Sequence, residues 1–238
     1  MGILGDLPGM SQGDCGVPGY IKGGIMAVDG TSTEIIPVTV WYDYIWPWCY
    51  IGLARLKELE REFPLQIEYK SFYLRPDTPE EGIIRKPREG SEPGTLLTGR
   101  LGDAATEAGL TMRRAPITPN TRLAFEASEF AKDEGLFEQF HDVCYEAFWE
   151  EGVNLGDLSV LQMLGDRVGL DAQKMKDSLD TSKYTVQAVT QYEEALGLGI
   201  RGIPSFIMGK YLFSGAQPYE VFKNVAERVQ SEAANGDS

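Results

Sequence analysis

Two hydrophobic periodicities follow one another between Val38 and Leu74. Bulky residues fill both faces of the stretch from Val38 to Tyr42, as is typical of a strand buried on two sides. Pro47 suits the first turn of a helix, where its missing N–H needs no partner. An apolar stripe at helical spacing follows, and the charged residues lie on the other side; the stripe is Cys49, Gly52, Leu53, Leu56, Leu59 and Phe63, and the charged residues are Arg55, Lys57, Glu58, Glu60 and Arg61. Residues 65–74 alternate again, so residues 37–74 predict a β-α-β unit with parallel strands and a right-handed crossover.

The middle of the chain changes from a proline-rich segment to continuous helical periodicity. Residues 75–95 hold four prolines and predict a long loop. From Leu96 to Leu198 the apolar positions recur at helical spacing, and glycines separate the segments. The predicted helices are 96–109, 120–134, 136–150, 157–168, 171–179 and 183–197.

The C-terminal part returns to strand periodicity. Ser205–Met208 and Tyr211–Phe213 predict two strands joined by a tight turn, and a helix begins at Gln217 or Pro218. The order is therefore βαβ, a helical block, then ββα. This order predicts an α/β, thioredoxin-like fold with an all-helical insert domain. We assign residues 37–75 plus 200–235 to the thioredoxin-like domain, and 95–199 to the insert.

The N-terminus and the composition narrow the class of protein. Nine glycines among the first 30 residues predict a flexible leader over residues 1–33, without the pattern of a signal peptide, and Met26 is a possible native start. A net charge of -14 argues against nucleic-acid or membrane partners. The three cysteines, Cys15, Cys49 and Cys144, are too few for a disulfide scaffold, so we expect a cytoplasmic protein.

Four short motifs, in order, resemble the DsbA-like branch of the thioredoxin superfamily, and in particular its FrnE-like group. Asp43–Gly52, "DYIWPWCYIG", is similar to D-x-x-C-P-W-C-Y-x-G except at Trp46. Pro119–Thr121 matches P-N-T, Gly202–Phe206 matches G-V-P-x-F with Ile203 in place of Val, and Gly215–Pro218 matches G-A-Q-P. The resemblance spans about residues 37–230.

The resemblance implies disulfide exchange at the start of the first helix, but the attacking position holds Trp46. An indole provides no nucleophile, so Cys49, in the resolving position, is the candidate catalytic residue. Three interpretations of Cys49 stay open. It is a small buried apolar residue, or a single thiol that forms mixed disulfides, or part of a site where Trp46 stacks on a ligand. The third case resembles the kappa-class glutathione transferases and chromene-carboxylate isomerases, which have Ser at the first position.

The resemblance also implies a cis peptide at Ile203–Pro204, facing the helix start. Candidate substrate-binding residues are Trp46, Pro47, Trp48, Ile203 and Pro204, and Asp43 is a candidate for tuning a thiol. His141 and Cys144 share a helix face, but Cys144 falls on an apolar stripe, which favours packing. We expect no metal and no bound cofactor, although glutathione or another small thiol would fit the family.

The expected function is that of a FrnE-like thiol–disulfide oxidoreductase with altered or weak activity, acting on a peptide or a small thiol. One alternative is a glutathione-dependent transferase or isomerase on the same fold. Another is a non-catalytic module that binds peptides or ligands. The substrate and the oligomeric state do not follow from these patterns.

Overall fold

The computed structural model describes residues 25–26, 32–87, 89–90 and 92–236. Contacts divide the chain into two units, Met1–Glu34 and Ile35–Ser238. In the first unit, strands β1 (Ile25–Met26) and β2 (Ser32–Thr33) pair antiparallel, which the leader prediction did not foresee. The rest of the expected leader lies outside the described residues.

A four-stranded mixed sheet forms the centre of the second unit. The further strands are β3 (Ile36–Tyr42), β4 (Leu65–Ser71), β5 (Ile83–Ile84), β6 (Ile117–Thr118), β7 (Ser205–Met208) and β8 (Tyr211–Ser214). The order in the sheet is β4-β3-β7-β8. Strands β3 and β4 run parallel, and β7 is antiparallel to both β3 and β8. The predicted parallel βαβ unit and the C-terminal hairpin are therefore confirmed.

Eight α-helices accompany the sheet in the described part of the chain. They are α1 (Pro47–Leu59), α2 (Gly99–Glu107), α3 (Arg122–Asp133), α4 (Phe137–Glu146), α5 (Leu158–Val168), α6 (Ala172–Asp180), α7 (Thr185–Gly197) and α8 (Tyr219–Gly236). The six helices predicted between 96 and 197 all occur. The one predicted over 136–150 changes at Ala147–Glu151 into a π-helix, which ends where Gly152 adopts a φ of 75°. None of the helices described is long and apolar enough to cross a membrane.

The sheet and the helical insert pack together within one unit. Helix α8 packs on α1, β3 and β7, and α7 lies along β4. The core contains Val40, Trp41, Leu56, Phe206 and Phe222, each at most 1% exposed. The arrangement is the predicted thioredoxin-like fold with a helical insert.

The segment 75–95 is not only a loop. Its residues Ile83 and Ile84 form β5, which pairs antiparallel with Ile117 and Thr118 of β6. A two-residue strand is too short to show a periodicity, and its partner lies more than 30 residues further along the chain. Sequence reasoning therefore missed this strand pair.

Arg55 is a second difference from the sequence prediction. The helical pattern predicts Arg55 on the charged side of α1, opposite the apolar stripe, yet it is only 8% exposed. Its guanidinium donates to the carbonyl oxygens of Ala216 and Gln217, both at 2.7 Å, and lies 3.8 Å from Glu107. Helix α8 and the loop before it cover this side of α1, so Arg55 satisfies carbonyls there instead of facing water.

Candidate active site at the start of helix α1

The chain makes a tight turn between β3 and α1. Trp46 precedes the helix in an extended conformation, and Pro47 occupies the first helical position. The N–H of Trp46 donates to the Asp43 carbonyl at 3.2 Å, and the Trp46 carbonyl accepts from the Cys49 N–H at 2.9 Å. Trp46, Pro47 and Trp48 are all half-buried. The helix start thus presents two indoles where a redox relative would present its attacking thiol.

The Cys49 side chain is excluded from solvent, at 0% exposure. Burial raises the pKa of its thiol well above the usual value. A backbone hydrogen bond at Asp43 opposes this rise, whereas the Asp43 carboxylate adds to it. The thiol is therefore protonated at neutral pH in this conformation, as the packing interpretation of Cys49 predicts.

Asp43 is a fully buried carboxyl group beside the helix start. Its Oδ2 accepts from the N–H of Leu74 at 2.9 Å and from the hydroxyl of Thr121 at 3.4 Å, and its Oδ1 accepts from the N–H of Ile45 at 3.3 Å. Burial raises the pKa of Asp43 to about 7, although these hydrogen bonds work against the rise. At physiological pH the group can therefore both give and take a proton.

Aromatic side chains from the insert hold the turn from the other side. Tyr145 donates its hydroxyl to the Asp43 carbonyl at 3.2 Å, and the Trp149 indole N–H donates to the Tyr44 carbonyl at 3.0 Å. The ring of Tyr50 stacks on Tyr145 with 4.7 Å between the ring centres. Sequence reasoning missed these supports, because aromatic residues on an amphipathic helix have the same pattern as ordinary core residues.

His141 lies in the aromatic core and not in a nucleophile–base pair. It is 2% exposed, and its Nδ1 lies 3.3 Å from the hydroxyl of Tyr44. Burial lowers its pKa well below the usual value and raises that of the Cys144 thiol. Among the described residues no hydrogen bond joins His141 to Cys144, which agrees with the packing interpretation of both.

The Ile203–Pro204 peptide is cis, as the resemblance predicts. Pro204 packs directly on α1. A Cβ built on Gly52 would lie 3.0 Å from Pro204 Cγ and 3.3 Å from Phe206 Cζ. In the part of the chain that the structure describes, the backbone N–H and C=O of Ile203 have no hydrogen-bond partner. Ile203 is only 6% exposed, and Pro204 is buried as well.

Three of the short motifs meet the strand–helix junction through specific contacts. Thr121 of the P-N-T motif reaches the Asp43 carboxyl, and Pro204 covers Gly52. The carbonyls of Ala216 and Gln217, from G-A-Q-P, accept from Arg55 of α1. The motifs, far apart in the sequence, thus surround one helix. No cluster of three or more His, Cys, Asp or Glu side chains with metal-binding geometry occurs in the residues described.

Comparison with known proteins shows which sequences and folds this chain resembles. A curated relative, the uncharacterised protein YwbO of Bacillus subtilis (strain 168), is 29% identical over 202 residues, which cover 82% of this chain and 98% of the relative. The crystal structure of a probable DsbA oxidoreductase from Streptomyces coelicolor is 27% identical, with a TM-score of 0.72, and the match covers 83% of this chain and 91% of that one.

A 2-hydroxychromene-2-carboxylate isomerase shares the fold at 18% identity and a TM-score of 0.67, covering 85% of this chain and all of its own. The family model of the DSBA-like thioredoxin domain matches residues 37–227, which include both halves of the sheet and the whole insert. The chain therefore belongs to the family of DSBA-like thioredoxin domains.

Proposed function

We propose that this protein is a FrnE-like member of the DsbA-like family whose thiol–disulfide activity is weak, and that it acts on a peptide or a small thiol. Membership of the DSBA-like family supports the thiol–disulfide chemistry, and one observation carries its weakness. The attacking position is Trp46, and the remaining thiol, Cys49, is fully buried with a raised pKa. Exchange requires a thiolate that a disulfide can reach, so the ground state offers little of the reactive species.

A single cysteine can support only a shortened reaction cycle. When Cys49 is uncovered and deprotonated, its sulfur attacks a disulfide R–S–S–R, forms a mixed disulfide and releases one thiolate R–S⁻. A second external thiol such as glutathione must then attack, releasing Cys49 and forming a new disulfide. Two-cysteine enzymes resolve this intermediate internally, whereas among the described residues Trp46 stands where the partner thiol of Cys49 would be.

The substrate surface in this proposal consists of Trp46, Pro47, Trp48, Ile203 and Pro204. Its support is the partial exposure of the two indoles and of Pro47, together with the backbone groups of Ile203, which have no partner among the described residues although Ile203 is only 6% exposed. Asp43 acts as a tuning residue, because its charge raises the pKa of Cys49. The two cysteines in the described part of the chain are free, which fits a reducing compartment, and we propose the cytoplasm.

Insulin reduction with glutathione as the electron donor tests the proposal. We compare the wild type with Cys49→Ser, Cys144→Ser and Trp46→Cys. We expect slow turnover in the wild type, none in Cys49→Ser, and wild-type turnover in the buried-thiol control Cys144→Ser. Trp46→Cys restores the attacking thiol at the helix N-terminus and should raise the rate by about tenfold or more.

Two outcomes would count against the proposal. Equal rates for wild type and Cys49→Ser would reject thiol chemistry, and leave a binding role for the same surface. No gain from Trp46→Cys would show that more than the nucleophile is missing. Glutathione titration by calorimetry addresses the transferase or isomerase alternative, since absence of binding removes it.

A further inference from the structure

A separate cavity of about 480 Å³ lies between the antiparallel strand pair β5–β6 and the beginning of the insert. One part of its wall is apolar and includes Ile84, Leu97 and Trp149. The wall also contains three cationic residues, Arg85, Lys86 and Arg114. The volume falls in the range of about 300–1,000 Å³ that small-molecule sites occupy. The Trp46–Pro204 surface contributes no residue to this wall.

Backbone hydrogen bonds fix the walls of the cavity. The Arg85 N–H donates to the Pro116 carbonyl at 2.8 Å, and the Arg114 N–H donates to the Thr95 carbonyl at 2.9 Å. The Trp149 carbonyl accepts from the Arg113 N–H at 2.7 Å. Since these bonds tie the chain at Arg85, Thr95 and Trp149 to residues 113–116, the main chain fixes the shape of the cavity, and little ordering is required when a ligand binds.

The cavity is lined by positive charges, although the protein as a whole is negative. The chain carries a net charge of -14, yet within the residues described none of Arg85, Lys86 and Arg114 forms an ion pair with Asp or Glu. Desolvation lowers the pKa of Arg85, and the positive charge of Arg75 lowers it further. Arg75 therefore adds to the positive potential at Arg85. Such a concentration of one sign in a concave site attracts the opposite charge.

Arg114 provides the second, independent observation. Its Nε is buried and has no hydrogen-bond partner among the described residues. A buried donor without a partner is costly, and an anionic oxygen is the acceptor that a guanidinium binds most strongly. Arg85 differs, because its Nε already donates to the hydroxyl of Thr118 at 2.8 Å. Arg114 is therefore the arginine of the wall whose Nε lacks a partner among the described residues, and because this atom is hidden from solvent, a ligand in the cavity reaches it when the side chain turns.

The apolar part of the wall restricts the ligand further. Ile84 is 73% exposed, the highest value among the large hydrophobic residues of the β5–β6 strand pair, and Trp149, itself only 3% exposed, also lines the wall. An inorganic ion would leave this surface in contact with water, whereas a ligand with an apolar or planar body would cover it.

We propose that this cavity is a binding site for a small organic anion, in which a carboxylate or phosphate group lies between Arg114, Arg85 and Lys86 and an apolar body packs against Ile84, Leu97 and Trp149. The site is independent of Cys49 and of thiol chemistry, so its test separates from that of the proposed function. Trp149 also donates to the Tyr44 carbonyl, so this residue of the wall is anchored to the turn that leads into α1.

Calorimetric titration with four probes tests the site: phenyl phosphate, benzoate, inorganic phosphate and uncharged benzyl alcohol. We expect phenyl phosphate or benzoate to bind more tightly than inorganic phosphate, and benzyl alcohol not to bind. Arg114→Gln should weaken binding by about tenfold or more, as expected for loss of a charged hydrogen bond. The matched control is Arg61→Gln, which removes an exposed cation outside the cavity wall.

Several outcomes would overturn the proposal. These are no binding of either organic anion at millimolar concentration, equal binding by wild type and Arg114→Gln, equal weakening by Arg61→Gln, and equal binding of benzyl alcohol. If Arg114→Gln does not fold, Lys86→Gln, at an exposed position of the wall, replaces it in the test. We then expect a smaller loss of affinity for the organic anions. Binding of inorganic phosphate as tightly as phenyl phosphate would refute the apolar part of the site.

Discussion

At the residue scale, burial decides what each side chain of the candidate site can do. Cys49 and Asp43 are both at 0% exposure, and burial raises the pKa of each. For the thiol the result is loss of reactivity at neutral pH, because only the thiolate attacks. For the carboxyl the result is a proton exchanged near physiological pH. Desolvation therefore suppresses the reactivity of the Cys49 thiol and makes the protonation of the Asp43 carboxyl sensitive to pH near 7.

Asp43→Asn should change how the free energy of unfolding depends on pH. The pKa of Asp43 rises from 3.8 to about 7 on folding. Between these values the unfolded chain has lost the proton that the folded chain keeps, so the wild type loses stability as pH rises through this window, by up to about 1.4 kcal/mol per pH unit. The loss is complete above about pH 7.

Urea unfolding at several pH values from 4.5 to 7.5 measures this effect. Asp43→Asn should be less stable than the wild type at pH 4.5, because an amide cannot accept all three hydrogen bonds, and the gap should narrow as pH rises. The control is Asp157→Asn at the start of α5, where the N-cap hydrogen bond lowers the pKa. Its profile should run parallel to the wild type above pH 5. Parallel profiles for Asp43→Asn would show that this carboxyl does not titrate as described.

At the scale of the element, helix α1 shows which features depend on neighbouring segments. Its start at Pro47 and its apolar stripe follow from local chemistry. The burial of Arg55 depends on the loop before α8, about 160 residues away. The π-helix after α4 likewise has no sequence signature. Yet it carries Trp149, which binds the turn before α1.

Gly52→Ala should destabilise the protein although alanine is the better helix former. The new methyl group would lie 3.0 Å from Pro204 Cγ and 3.3 Å from Phe206 Cζ, so the loop or the helix must move. We expect a loss of about 1–3 kcal/mol, larger than the gain in helix propensity of about 1 kcal/mol.

The matched control is Gly197→Ala at the end of α7, where the added Cβ would meet nothing within 4 Å. This variant should be neutral or slightly more stable. Thermal melting of both variants measures the difference. An equal response at the two positions would contradict the close contact between α1 and Pro204.

At the scale of the whole molecule, side chains of the insert complete the hydrogen bonds of the sheet. The Gln191 Oε1 accepts from the backbone N–H of Ser71 at 2.8 Å, and the Gln191 carbonyl accepts from the Trp41 indole at 3.1 Å. Lys132 of α3 donates to the carbonyl of Tyr69 at 2.6 Å. Since the edge strand β4 depends on these groups, the sheet and the insert should unfold together.

Gln191→Ala should cost about 1–3 kcal/mol, because it leaves the Ser71 N–H without its acceptor. Tryptophan fluorescence and far-ultraviolet circular dichroism should report a single shared midpoint in urea for both wild type and variant. Gln173→Ala, which removes an exposed pair with Asp177, is the control and should stay within about 0.5 kcal/mol of the wild type. Separate midpoints for the two signals would show that insert and sheet are independent.

Much of the fold and part of the site were predictable from local sequence. Strand β7 occurs at its predicted bounds and all six predicted insert helices exist, whereas the cis peptide at Ile203–Pro204 was expected from the family resemblance. The β5–β6 strand pair was not predictable, since each strand has only two residues. The supporting roles of Tyr145, Trp149 and Arg55 were missed as well, because each depends on a partner distant in the chain.

The sequence by itself determined that Trp46 and Pro47 stand at the start of the first helix and that Cys49 lies within its first turn, because residue identity and helical spacing are local properties. It also determined the order of strands and helices, which periodicity encodes. Only the tertiary structure decided that Cys49 is sealed from water, that Asp43 titrates near neutral pH, and that three cations line one cavity. Burial and electric potential are sums over all surrounding groups, and those groups come together only when the chain is folded.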